Sequence, residues 1–154
     1  MTEERGIPIT GGCQCGAVRY ALFATPDGAS ICHCRMCQKA GGAPFMAFAG
    51  VPLAHHKFTR GAAKTYASSD IAERGFCADC GTPLTYRIHG RDRISFTIGS
   101  FDRPAATAPS EQVGVEAALP WFPSLASLPA LKTSDWLTED KYGPVGNKQH
   151  GDRD

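Results

Sequence analysis

Apolar and polar residues alternate with a period of two over several short stretches of this chain. Ala17 to Phe23 (Ala-Val-Arg-Tyr-Ala-Leu-Phe) contains one such stretch. Thr82 to Ile88 alternates through Leu84, Tyr86 and Ile88, and Arg93 to Ile98 through Ile94, Phe96 and Ile98. Phe45 to Ala49 is short and apolar, and Lys64 to Ser68 carries the strand-favouring residues Thr65 and Tyr66. Side chains of a strand point alternately to its two faces, so these patterns predict short, half-buried strands. One short helix is expected, from Arg35 to Ala40, ended by Gly41 and Gly42. Gly (17) and Pro (11) are spread along the chain and leave no room for long helices. Asp102 to Pro129 is rich in Pro and Ala and predicts a wrapping loop with a short strand near Val113. Trp121, Phe122 and Trp136 are expected to cover apolar surface. The expected class is mainly β: short antiparallel sheets with at most short helices.

The length of 154 residues suits one domain, and 42% hydrophobic residues suffice for a modest core. No apolar run is long enough to span a membrane. Met1 to Thr10 has acidic Glu3 and Glu4 and no apolar segment, unlike a signal peptide, so a cytoplasmic location is expected. The net charge is +1 and the Lys and Arg residues are scattered, which argues against the dense basic surface that nucleic-acid binding needs. There is no internal repeat at a solenoid period.

The seven cysteines change the picture. Their odd number prevents complete pairing in disulfides, and a reducing compartment would keep them as thiols. They fall into three groups: Cys13-x-Cys15, Cys32-x-Cys34-x-x-Cys37 and Cys77-x-x-Cys80. A Cys-x-x-Cys turn brings two sulfurs round one point, and a following Gly permits the positive-φ turn that completes the knuckle. Gly81 follows Cys80, and Gly16 follows Cys15 in the same way. Cys13, Cys15, Cys77 and Cys80 thus read as halves of one closed four-thiolate zinc site, which would tie distant segments together. Cys32, Cys34 and Cys37 supply three ligands and leave a fourth position, the arrangement of catalytic zinc. Alternatively His33 or another side chain closes the second site and both sites are architectural. A redox role for Cys77-x-x-Cys80 lacks the βαβ context it would need.

The stretches Gly11-Gly12-Cys13-Gln14-Cys15-Gly16-Ala17-Val18-Arg19-Tyr20, Cys32-His33-Cys34-Arg35-Met36-Cys37-Gln38-Lys39-Ala40-Gly41-Gly42-Ala43-Pro44-Phe45 and Arg74-Gly75-Phe76-Cys77-Ala78-Asp79-Cys80-Gly81-Thr82-Pro83-Leu84 resemble the glutathione-dependent formaldehyde-activating enzyme family, which includes centromere protein V. The resemblance runs from about Thr10 to Trp136. It implies a tent-like, mainly β fold with two zinc ions per chain. Cys13, Cys15, Cys77 and Cys80 match the structural ligands, and Cys32, Cys34 and Cys37 the catalytic ones. It also implies a carbon–sulfur lyase activity, joining formaldehyde and glutathione as S-hydroxymethylglutathione. The organisation expected is an N-terminal extension over 1–9, a zinc-binding domain over 10–140 and a mobile tail over 141–154. The chain departs from the family pattern in Ser110 to Val115, where Gln112 replaces a usual His and Gly114 a usual large aromatic. In the turn Gly99 to Pro104, Arg103 replaces a frequent acidic residue.

Two functions follow as alternatives. One is a zinc-dependent lyase acting on a small thiol or aldehyde, with glutathione a candidate. The other is a non-catalytic zinc module for protein or nucleic-acid interaction, which the absence of a basic tract disfavours. Three thiolates around Zn²⁺ leave a net charge of −1, which Arg35, Lys39 and Arg74 could offset while also holding a substrate carboxylate. His33 is expected to point away from the metal. His55 and His56 are adjacent and invite comparison with a third metal site. Phe45, Phe48, Tyr66 and Phe76 are expected in the core, with Phe45 the best candidate for a pocket. Ser68 and Ser69 could hydrogen-bond a ligand or simply serve a turn.

Overall fold

A computed structural model describes residues 8–153; residues 1–7 of the expected N-terminal extension lie outside them. Among the described residues ten strands form two sheets. They are β1 (Ile9–Gly12), β2 (Arg19–Leu22), β3 (Asp27–Cys32), β4 (Met46–Pro52), β5 (His56–Arg60), β6 (Lys64–Ser69), β7 (Ala72–Phe76), β8 (Pro83–Ile88), β9 (Arg93–Thr97) and β10 (Glu111–Val113). The helices are short: α1 (Arg35–Gly41), α2 (Thr133–Trp136) and α3 (Glu139–Tyr142). The small sheet has the order β1-β2-β5, and the large one β10-β3-β4-β9-β8-β7-β6. The class is mainly β, as the alternation implies. All pairings are antiparallel except β10 with β3, which runs parallel.

The strands read from alternation are present as β2, β4, β6, β8 and β9, and the strand near Val113 is β10. α1 ends on Gly42 in the left-handed region at φ 60°, where a side chain would be strained. The pattern misses β1, β3, β5 and β7. β3 (Asp-Gly-Ala-Ser-Ile-Cys) and β7 (Ala-Glu-Arg-Gly-Phe) carry small or charged residues and owe their strand state to neighbours on both sides.

The core lies where the small sheet meets the large one. Tyr20 and Leu22 from β2 are buried with Val51, Leu84, Phe96, Ile98 and Phe101. The Tyr20 and Phe96 rings lie 4.4 Å apart, within stacking range. The alternation of β4 then sorts its side chains. Ala49 and Val51 enter this core, while Met46 and Phe48 join a second cluster around Cys37. That second cluster places the chemistry.

The expected aromatic cover is partial at the surface. Trp121 and Trp136 keep about half of their surface exposed, Trp136 beside the Tyr142 ring at 6.3 Å, while Phe122 packs edge-on against His33 and Phe45. Tyr66 is 66% exposed rather than in the core. It sits on the edge strand of the large sheet, with a neighbour on one side only.

Candidate functional site

The structure brings the cysteines into two groups. In each, the sulfurs lie within 4.8 Å of one another. Cys13, Cys15, Cys77 and Cys80 form the first. Cys13 and Cys15 sit on the β1–β2 turn, Cys77 and Cys80 on the β7–β8 turn. The backbone N–H of Gly16 donates to the Cys13 carbonyl and that of Gly81 to the Cys77 carbonyl. Both glycines hold positive φ, 80° and 78°, the conformation that closes each knuckle. Thr82 links the two turns: its Oγ1 accepts from the Gln14 N–H at 3.0 Å and lies 3.2 Å from Cys80 Sγ.

The first group fits a metal. Four sulfurs at about 2.3 Å from a central ion in a tetrahedron lie about 3.8 Å from each other. Cys13 and Cys15 are 3.6 Å apart, and Cys15 and Cys77 3.8 Å. A disulfide would need about 2.05 Å. The thiols also differ in acidity. Burial holds the Cys77 thiol above its ordinary pKa. At Cys80 burial is outweighed by hydrogen bonds from Thr82, and the pKa falls to about 6. Such a set gains most from a cation that lets every sulfur ionise.

Cys32, Cys34 and Cys37 form the second group. Cys32 ends β3, opposite Met46 of β4 in the sheet. Cys34 caps α1, its sulfur accepting from the Cys37 N–H at 3.4 Å. Cys37 lies inside the helix and is buried. Burial raises the Cys37 thiol to about 12, against the pull of Arg74. At Cys34 burial is outweighed by hydrogen bonds from Cys37, Cys32 and Met36, and its pKa is lowered. Among the described residues no fourth Cys, His, Asp or Glu joins this group. It could hold a metal ion with one position left over.

His33 is fully buried and turns away from the sulfurs. Its Nε2 lies 2.8 Å from Gln112 Oε1, and its ring packs edge-on against Phe122 at 4.6 Å. Its backbone N–H donates to the Val113 carbonyl. Gln38 adds a second tie, donating to the carbonyls of His33 and Ala117. Gln112 therefore anchors β10 behind the cysteine loop. Gly114 has φ 66°, and a Cβ there would come within 2.9 Å of the Cys34 backbone nitrogen. A large side chain at 114 is excluded while β10 keeps this position.

Of the three cations expected to offset the thiolate charge, Arg74 is the one that reaches a sulfur among the described contacts. Register places it between Tyr66 on β6 and Tyr86 on β8. Residues directly opposite in a ladder point to one face, here the face that carries Cys37. The guanidinium is buried, lies 4.9 Å from the Tyr86 ring centre and donates to Ser68 Oγ at 2.9 Å. It also reaches Cys37 Sγ at 3.3 Å. A cavity of about 480 Å³ opens beside it, lined by Lys39, Tyr66, Ser68 and Phe76 among others. Arg35 instead turns along the helix to Gln38 Oε1, and Phe45 packs on His33. Phe48 is buried with Cys37.

Other candidates lie apart. His56 Nδ1 meets the Leu53 carbonyl at 2.7 Å and its ring packs on Phe58 and Phe96, while His55 is exposed; among the described residues neither joins a metal-binding group. Ser69 Oγ accepts from the Ile71 N–H, a turn contact. No helix among the described residues is long and apolar enough to cross a membrane. In the expected tail, the His150 N–H donates to the Gln14 carbonyl beside the four-cysteine group.

Comparison with known proteins places the chain in a family. The family model described as glutathione-dependent formaldehyde-activating enzyme matches residues 8–117. An uncharacterized lyase of Schizosaccharomyces pombe is 37% identical over 76 residues, 49% of this chain; the match spans 55% of that relative's length. A crystal structure of a Rhodobacter sphaeroides protein aligns with a TM-score of 0.55 at 19% identity, covering 68% of this chain and 100% of that one. At that identity the likeness concerns the fold.

Proposed function

Because this chain belongs to the glutathione-dependent formaldehyde-activating enzyme family, we propose that it is a zinc-dependent enzyme of carbon–sulfur lyase type acting on a small thiol and an aldehyde. The observation that carries the reading is the inequality of the two cysteine groups. One offers four sulfurs and the other three, with no further ligand beside the three among the described residues. In this reading Cys13, Cys15, Cys77 and Cys80 hold a structural zinc, and residues 10–140 form the zinc-binding domain. Cys32, Cys34 and Cys37 hold a second zinc. Soft thiolates favour zinc over hard cations such as magnesium or calcium.

A zinc ion in the second group would acidify a bound thiol and polarise a carbonyl oxygen. The chain's own residues set the conditions. Three thiolates with Zn²⁺ sum to −1, and Arg74 at Cys37 Sγ brings the local sum to zero. His33, held by Gln112, fixes the loop between Cys32 and Cys34. The reaction balances simply: a sulfur–carbon bond forms, the carbonyl π pair moves to oxygen, and the thiol proton ends on that oxygen. Holding both reactants side by side supplies effective concentration.

Metal analysis of two variants tests the reading. The wild type is expected to carry two zinc ions. Cys34→Ser should stay folded, keep one zinc and lose thiol–formaldehyde adduct exchange measured by NMR. Cys77→Ser should lose the fold itself. If Cys34→Ser unfolds as badly as Cys77→Ser, both sites are architectural and the enzyme reading fails.

A further inference from the structure

We propose that the cavity between α1 and strands β6–β8 selects the substrate of this site, and that it takes an amphipathic monoanion: an apolar body carrying one carboxylate-type charge. The inference rests on the enzyme reading above. The cavity, about 480 Å³, is of ordinary ligand-pocket size and far larger than formaldehyde, with its two heavy atoms, requires. Its walls are mainly apolar, with Met36, Met46, Phe76 and Pro83 among them. Met36 is 53% exposed and Tyr66 66%, so two large side chains stand at the mouth with much of their surface in water. A ligand with an apolar body would cover them.

The charges set the sign. Among the described residues, the ionisable side chains lining the cavity include two cations, Lys39 and Arg74, and no carboxylate. Arg74 already donates to Ser68 and Cys37, so its charge serves the floor of the cavity and the sulfur. Lys39, exposed at the end of α1, is left to meet an anion. This arrangement orients a ligand: anion on Lys39, apolar body along Met36 and Phe76, reactive end toward Arg74, the lining residue that reaches Cys37 Sγ. Among the described residues no acidic side chain of the lining pairs with the ammonium group of glutathione, which would meet only hydroxyl or carbonyl oxygens or water.

Octanoate, octylamine and octanol titrated into the zinc-loaded chain and followed by amide NMR test the proposal. Octanoate is expected to give saturable shifts at Met36, Phe76 and Thr85. Octylamine should bind about two- to fivefold more weakly, the size of one exposed charge contact. Lys39→Met should remove that preference and leave octanol binding unchanged. Equal binding of octanoate and octylamine, or shifts confined to other surfaces, would overturn it. Zinc content measured on the same samples separates the two readings. A one-zinc chain that still binds octanoate defeats the enzyme. A two-zinc chain that ignores octanoate defeats the pocket.

Discussion

Arg74 carries a full charge into a buried place, which is costly unless that charge is paired. Its partners include the Cys37 sulfur, the Ser68 hydroxyl, the Met46 sulfur and the Tyr86 ring face. Removing the charge should make the Cys37 thiolate harder to form, so protons compete better with metal. Arg74→Met is therefore expected to weaken metal retention at the three-cysteine group by about tenfold or more, since a hydrogen bond to a charged group contributes about 1.5–3 kcal/mol. The pH at which that metal is released should rise, and Arg74→Lys should recover part of the loss. Titration against a competing chelator reads both quantities without any activity assay. Gly114 makes a second prediction at this scale. Its positive φ and its closeness to Cys34 leave no space for a Cβ. Gly114→Ala should destabilise the fold by about 1–2 kcal/mol from backbone strain alone, visible as a lower midpoint in urea.

The element that matters most is the shortest strand. β10 has three residues, pairs in parallel with β3 and shows exposed residues along its length. It has little packing of its own to hold it there. Gln112 holds it through His33, whose other ring nitrogen, Nδ1, is buried without a hydrogen-bond partner among the described residues. Gln112→Ala would leave both ring nitrogens of a buried imidazole without partners. The expected cost is about 1–3 kcal/mol, with faster amide exchange at His33, the residue that donates to Val113. α1 shows a different economy. Its start is built from a ligand, because Cys34 is both cap and metal candidate, so metal release should fray α1 before any strand.

For the whole molecule, the four-cysteine group ties the β1–β2 turn of the small sheet to the β7–β8 turn of the large one. Chelation is thus expected to cost the cooperative fold, with loss of near-ultraviolet dichroism together with the metal of that group. A second tie is the buried pair of Arg19 and Asp102, which bind through two contacts of 2.9 and 2.6 Å, with Thr10 donating to the same carboxylate. Burial opposes the Asp102 charge, but Arg19 and Thr10 outweigh it and hold its carboxyl below the usual carboxylate range. A depressed folded pKa gives stability that is fully present above the unfolded value and is lost as pH falls through the folded one. Asp102→Asn should therefore destabilise the chain by about 3–5 kcal/mol near neutral pH. That difference should shrink below about pH 4 as the wild-type carboxyl protonates. Thermal midpoints of both proteins against pH would show it.

Much of this was legible in the chain itself. Period-two alternation marked the strands that face one layer of core. Cysteine spacing and the glycines at 16 and 81 marked two knuckles, because a tight turn with positive φ is a local matter. The family followed from the same stretches. Tertiary structure decided the rest. β3 and β7 have no pattern of their own and are strands because both edges are paired. Tyr66 leaves the core because β6 is an edge. Arg74 meets Cys37, and Gln112 meets His33, across 37 and 79 residues of sequence. Spacing along a chain fixes which neighbours share a turn, while register between distant strands fixes which charge stands beside which sulfur.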